Sequence, residues 1–291
     1  MYRIPMKIYK PYDQEALSIL EGISSKVRNL QQDEIPFFTL AKNDVPKGIL
    51  AIQQEPCYFV AEAGSTLGEI ACFNVNVQEF QDIIRTSIDL MKQEDFVYLI
   101  HFGGDLSEEE QDVLKANKFI LNDHYYMMGI EVNDFYDIPQ GLLLKPITIE
   151  GRSQFLDVEN EYYEGTGDSS TESMMDMIRN MPSSDLDAIY NEDTSYYVMD
   201  GESIIAIVVI FIDRGGIASI AVRPDLRRKG YGRRVLHMAM NRLKEFGWSK
   251  IMLRVHADNE AALKLYKRTG FEILVERKAY VAFSREFEER L

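Results

Sequence analysis

Cysteine is scarce in this sequence, with only Cys57 and Cys72 among 291 residues. Two thiols cannot build a disulfide framework, so the reading is of reduced cysteines in a cytoplasmic protein. The four histidines are scattered and, with the cysteines, show no metal-ligand spacing, so no metal is expected. Long hydrophobic runs are missing too. The longest, Ile204–Ile212, is far too short to span a bilayer and is rich in β-branched residues, which makes it a buried strand. The first ten residues, MYRIPMKIYK, lack the apolar core of a signal peptide, and no membrane partner is expected. Positive charge is in deficit as well: 32 Lys and Arg stand against 47 Asp and Glu, a net of −15. A surface of that sign repels phosphate backbones, which disfavours nucleic acid as a partner.

The deficit is uneven. Residues 1–142 carry −12, residues 143–226 carry −11, and residues 227–291 carry +8. A basic segment in an acidic chain points to a polyanionic small ligand held there, and to cationic molecules drawn to the remainder.

At this length the chain accommodates two domains of ordinary size. In the first, apolar spacing predicts a helix over Asp13–Leu30, a turn at Asp44–Gly48, and short strands Ile49–Gln53 and Cys57–Ala61. A helix Gln78–Lys92, a strand Phe96–Phe102, a helix Ser107–Ala116 and a strand pair through Phe119–Val132 follow. Turn formers over Asn133–Leu142 place the boundary, dividing the chain into residues 1–138 and 139–291. The second domain reads as a strand Leu143–Ile147, a helix Ile149–Tyr163, a loop Glu164–Ser170 and a helix Glu172–Asn180. A meander comes next, Thr194–Met199 and Ser203–Ile212 turning at Asp200-Gly201, then Gly216–Val222. A helix Lys229–Phe246, a strand Lys250–His256, a helix Asn259–Thr269 and a strand pair over Phe271–Ser284 complete it.

Chemistry concentrates where Gly216–Val222 gives way to Arg227-Arg228-Lys229-Gly230-Tyr231-Gly232-Arg233. Glycines two residues apart let the backbone pass close to a ligand. The unpaired N–H groups of the following helix favour negative charge. A strand, a glycine turn and a helix N-terminus together make a diphosphate cradle. Alone, Gly-x-Gly before a helix also fits a tight strand–helix connection.

Three stretches in order change that balance. Arg227-x-x-Gly230-x-Gly232 resembles the acyl-CoA pyrophosphate turn of the GNAT N-acetyltransferases. Ile220-Ala221-Val222-x-Pro224 looks like that family's fourth strand, and Asn259-x-x-Ala262-x-x-Leu265-Tyr266 with Gly270-Phe271 looks like its last helix and the strand after it. The resemblance spans roughly residues 143–284. It implies an α+β fold with a mixed central sheet flanked by helices, and acetyl-CoA as cosubstrate. It further implies that backbone groups of Ile220 and Val222 contact the acetyl and pantetheine portions. Arg227, Arg228, Lys229, Gly230, Tyr231, Gly232 and Arg233 would hold the diphosphate, with Asn259 near the pantetheine. Tyr266 matches the family's general acid, protonating the CoA thiolate. Each residue also has a plainer role open to it: solvated cations, a helix cap at Asn259, a core aromatic at Tyr266.

The general base is not legible. Glu159, Glu161, Glu164 and Asp168 lie in the segment that lines the acceptor site in relatives, and a water chain serves equally. The expected reaction is acetyl transfer to a primary amine of a cationic small molecule, with a protein amine not excluded. The competing class is a non-catalytic acyl-CoA-binding sensor.

The first domain echoes this order. Setting Phe119 on Phe271 aligns Val113–Leu121 with Leu265–Ile273, Leu114 opposite Tyr266 and Ser107 opposite Asn259. No Gly-x-Gly precedes its helix at Gln78. It reads as a degenerate GNAT-like domain without a cofactor motif, walling the acceptor site or offering a homo-oligomer surface.

Overall fold

In a computed structural model, the described residues are 6–15, 20, 31, 35–54, 66–94, 96–103, 106–166, 178, 181, 186–187 and 189–284. The expected helices Asp13–Leu30 and Glu172–Asn180 and the strand Cys57–Ala61 fall largely or wholly outside them. Chain contacts divide the protein into two units, Met1–Asp123 with Arg277–Leu291, and His124–Glu276. The sequence boundary at 138/139 lies in the linker downstream of this division, which itself falls inside two long strands, β6 (Ile120–Glu131) and β12 (Glu272–Phe283). No helix among the described residues is long and apolar enough to cross a membrane.

Unit 1 is built on β1 (Lys7–Tyr9), β2 (Phe37–Lys42), β3 (Val45–Gln54), β4 (Thr66–Cys72) and β5 (Tyr98–Gly103) in sheet order. The first four pair antiparallel, while β4 and β5 run parallel through the connecting helix α1 (Val77–Gln93). The turn expected over Asp44–Gly48 is corrected: it is the two-residue Asn43-Asp44, both at positive φ (52° and 58°) as a twisted hairpin requires. Pro46 therefore belongs to β3, where a register shift against Leu40/Ala41 tolerates a residue without an N–H. Helix α2 (Glu108–Ala116) follows β5, and α1 and α2 bury Phe80, Ile83, Ile84, Met91 and Leu114 in one core cluster with Phe38, Leu50 and Leu99 of the strands.

Unit 2 repeats that plan. Strands β7 (Leu142–Pro146), β8 (Ser195–Asp200), β9 (Ser203–Phe211) and β10 (Gly216–Val222) pair antiparallel in series, and β10 runs parallel to β11 (Lys250–His256). Helix α3 (Arg152–Tyr163) covers one face, with Phe155 and Tyr162 packed on Ile207 and Ala221. Helices α4 (Tyr231–Glu245) and α5 (Glu260–Thr269) cover the other. On α4, Val235, Leu236, Ala239, Met240 and Leu243 recur at helical spacing and are buried. Each of the Val, Leu and Met side chains contributes about 1.5–3 kcal/mol on burial.

Both strand pairs expected from sequence are corrected to single strands of twelve residues, β6 and β12. The physical reason is their pairing. Residues 278–283 of β12 lie antiparallel to β5, with Lys278 opposite Gly103 and Phe283 opposite Tyr98. Residues 125–131 of β6 lie antiparallel to β11, with Tyr125 opposite His256 and Glu131 opposite Lys250. Each unit thus takes a strand from the other half of the sequence, and neither strand folds back on itself.

Candidate active site

The strands β10 and β11 are paired only at their beginnings, Gly216 with Met252 and Ile217 with Leu253. A bulge between Ile217 and Ser219 then bends β10 away. An antiparallel ladder sends alternate residues' polar groups to opposite edges. The Arg223 N–H bonds the Ile205 carbonyl of β9, so Ile220 and Val222 point their N–H and C=O groups to the β11 edge, where the ladder has ended. The resulting cleft is lined by Ser219, Ile220, Leu253, Val255, Asn259, Ala262 and Tyr266, with Tyr163 and Thr166 at the α3 side. Structure therefore brings Ile220, Asn259 and Tyr266 together.

Past β10 the chain makes a short 3-10 turn, Pro224–Leu226, then places Arg228 and Gly230 at positive φ (63° and 86°). Gly230 is the N-cap of α4 and offers no capping side chain. The two glycines earn their place differently. A Cβ on Gly230 would meet no atom within 4 Å, so its requirement is conformational. A Cβ on Gly232 would stand 3.2 Å from Leu265 Cδ2, so its requirement is close packing of α4 on α5 beside Tyr266. Arg228, Lys229, Gly230 and Arg233 are exposed, and Tyr231 is half-buried against the core. An uncapped helix N-terminus ringed by exposed cations fits a diphosphate.

Arg227 behaves otherwise. Its Nε donates to the Val222 carbonyl at 3.2 Å, Nη1 to Glu164 O at 2.8 Å and Nη2 to Tyr162 O at 2.7 Å. This guanidinium braces the end of α3 against the end of β10, and three of its donors are committed to protein carbonyls.

Asn259 caps α5, its Oδ1 accepting from the Ala262 N–H at 3.1 Å, and it lines the cleft as well. Tyr266 is half-buried; its ring lies 5.8 Å from that of Phe271, and it too reaches the cleft. One of the four acid candidates stands apart. Glu159 is 1% exposed, and its Oε1 accepts a 2.6 Å bond from Ser219 Oγ–H. Burial pushes its carboxyl up to about 7, against the lowering pull of the Ser219 and Tyr190 hydroxyls. Glu161 and Glu164 are exposed, and Asp168 lies outside the described residues. Sequence reasoning missed Ser219 and Tyr163. A lone hydroxyl inside the buried run GIASIAV, and a tyrosine one helical turn from a glutamate, were the available signals.

The fold is of the GNAT type. The profile of the Acetyltransferase (GNAT) family matches residues 154–271, so this segment is a GNAT domain. The Escherichia coli (strain K12) "[Ribosomal protein bS18]-alanine N-acetyltransferase" is 36% identical over 75 residues, 26% of this chain and 51% of that protein. The "Mycothiol acetyltransferase" of Kocuria rhizophila is 38% identical over 58 residues, 20% of this chain and 19% of that one. The chain spans about half the length of the first of these relatives, and less of the second. Among solved structures, a GCN5-related N-acetyltransferase from Sphaerobacter thermophilus superposes with a TM-score of 0.62 at 12% identity, covering 98% of this chain and 97% of its own. A tandem GNAT protein from the clavulanic acid biosynthesis pathway gives 0.53 at 9% identity over 96% and 98%. These likenesses extend the GNAT fold over both units.

Proposed function

We propose that the second unit transfers an acetyl group from acetyl-CoA to a primary amine by direct attack. The observation that carries this reading is the convergence on one cleft of an unladdered strand edge, the capping Asn259 and a reachable phenol, Tyr266. The exposed turn Arg228–Arg233 would hold the diphosphate through backbone N–H groups and cationic side chains. Acetyl-CoA supplies an activated acyl group. The Ile220 and Val222 N–H groups would polarise its carbonyl from the open edge, and Tyr266 would return a proton to the departing sulfur. Arg227 would shape the site as a brace between strand and helix.

Excess acid in residues 1–226 favours a cationic acceptor. The ribosomal-protein alanine acetyltransferase among the relatives adds a protein N-terminus to the classes worth testing. Titration calorimetry of acetyl-CoA into the wild type and a Gly230→Glu, Gly232→Glu double variant is the direct test. Binding in the roughly micromolar range, abolished in the variant, supports the reading. Absence of binding by the wild type would sink it. Spermidine, an aminoglycoside and a short peptide with a free N-terminal alanine then form the acceptor panel. With whichever of them turns over, Tyr266→Phe lowers kcat by about 10²-fold or more while acetyl-CoA affinity holds. Equal turnover by the variant would leave a binding module.

A further inference from the structure

A row of hydroxyl groups leads out of the cleft to a single buried carboxyl. Tyr163 and Ser219 both line the cleft, and their oxygens are 2.8 Å apart. Ser219 has one proton to donate, and it points to Glu159 Oε1 at 2.6 Å. With Glu159 ionised, the tyrosine is therefore the donor in the Tyr163–Ser219 bond. Both O–H bonds run toward the carboxyl, the arrangement that carries a proton inward when each oxygen accepts one from the side nearer the cleft. Three separate features hold the row. Glu159 and Tyr163 lie one turn apart on α3, Ser219 follows the bulge in β10, and the Arg227 brace ties the last turn of α3 to the end of that strand. Among the described residues, the groups beside the carboxyl are Ser219 from β10 and Tyr190 from the segment before β8, with Tyr163 from its own helix one bond further out, and none of the three is cationic.

We infer that Glu159, reached through Ser219 and Tyr163, takes up the proton that the amine acceptor must release. This rests on the acetyl-transfer reading and adds the base that the reading lacks. An ammonium acceptor loses two N–H protons as its nitrogen bonds to the acetyl carbon and the C–S bond breaks. One ends on the CoA sulfur by way of Tyr266, and the other passes along the hydroxyl row to Glu159, which later returns it to solvent. A carboxyl kept out of water is a stronger base than an exposed one, which suits it to an amine. Glu159 touches no substrate atom and acts through Ser219, so it is a positioning residue and proton store.

The test has two arms. The first needs no acceptor: infrared difference spectra of the intact protein follow the protonated-carboxyl band as pH is raised. The expected result is one buried carboxyl titrating near neutrality, lost in Glu159→Gln and displaced in Ser219→Ala. A band unmoved by Ser219→Ala would overturn the row. The second arm measures turnover with spermidine and the alanine-led peptide against pH. Glu159→Gln lowers kcat by about 10²-fold and removes the near-neutral limb of the profile, leaving a residual rate that follows the amine's own ionisation. Ser219→Ala does the same more weakly, and Ser219→Thr, which keeps the hydroxyl, restores the limb. A wild-type profile in Glu159→Gln would overturn the inference. Calorimetry with acetyl-CoA on the same samples separates the failures: intact binding with unchanged kinetics rejects the proton store alone, and no binding by any sample rejects acetyl transfer. Circular dichroism confirms folding of each variant, and the near-isosteric Gln and the small Ala guard against a collapsed site.

Discussion

Among the described residues the two units share a run of antiparallel strands, a parallel pair and the two helices that flank it, and they part company at one junction. In unit 1, β4 and β5 stay in parallel register over four pairs, from Leu67–Tyr98 to Ile70–His101. In unit 2, β10 and β11 part after two. The helix that follows differs in kind. Asn76 caps α1 from its side chain, and Glu79 closes a capping box by bonding back to the Asn76 N–H, placing a carboxylate where α4 leaves room for an anion. At the next helix Ser107 and Asn259 are both N-caps, yet Leu114 is fully buried at the position Tyr266 holds beside the cleft. The cleft is thus no consequence of topology. It depends on one bulge, one uncapped helix and one aromatic residue.

The contrast can be broken at several points. Leu114→Ala should cost unit 1 about 2–5 kcal/mol, because the side chain is enclosed on all sides, while Tyr266→Phe should cost far less stability. Denaturant unfolding of the two variants checks the difference, and equal losses would mean the positions are not distinguished by burial. Next is the buried acid that unit 2 keeps beside its cleft. The Glu159 carboxyl is raised in the folded state from 4.5 to about 7. The native state therefore holds its proton over a range where the unfolded chain has lost it, so this stabilisation is complete below about 4.5 and is lost as pH rises through about 7. Across that window stability should fall by on the order of 3 kcal/mol from this group, and Glu159→Gln should flatten the fall. Thermal melts at pH 5 and 8 on both proteins (about these values) measure it. The smallest effect lies at the helix ends. Lys118 sits at φ 64° where unit 2 has Gly270 at φ 104°. Lys118→Gly should relieve strain and stabilise by up to about 1 kcal/mol, whereas Gly230→Ala should cost about 1–2 kcal/mol. Opposite signs in chemical denaturation sharpen the comparison, and like signs would refute the strain argument.

Local signals were legible wherever neighbours in sequence decide the structure. The run GIASIAV, the strand Lys250–His256 and the helix from Glu260 to Thr269 stand where apolar spacing and an Asn cap put them. The Phe119-on-Phe271 register also matches the structure: Phe119 and Phe271 each donate a 3.0 Å bond to the carbonyl five residues back, Leu114 and Tyr266. β6 and β12 then keep one offset of 152 residues, Ile120 to Glu272 and Glu131 to Phe283. What stayed hidden was long-range. Polar Asn122-Asp123 inside β6 looks like a hairpin turn until the distant partner is known. No spacing rule announces that a guanidinium will be absorbed by three carbonyls, as Arg227 is, or that Glu159 turns inward while Glu161 and Glu164 are exposed.

The pairing of β5 with residues 278–283 bears on how the molecule is made. Unit 1 cannot complete its sheet when its own first stretch leaves the ribosome, because Tyr280 and Ala282 of its core are still to be translated. The whole of unit 2's β7-to-α5 segment emerges in between. Joining strands so far apart in sequence makes for slow folding, and the bare edge of β5 is exposed to other chains during the wait. For the nascent chain, completion of the first half's sheet waits on the last strand to be made.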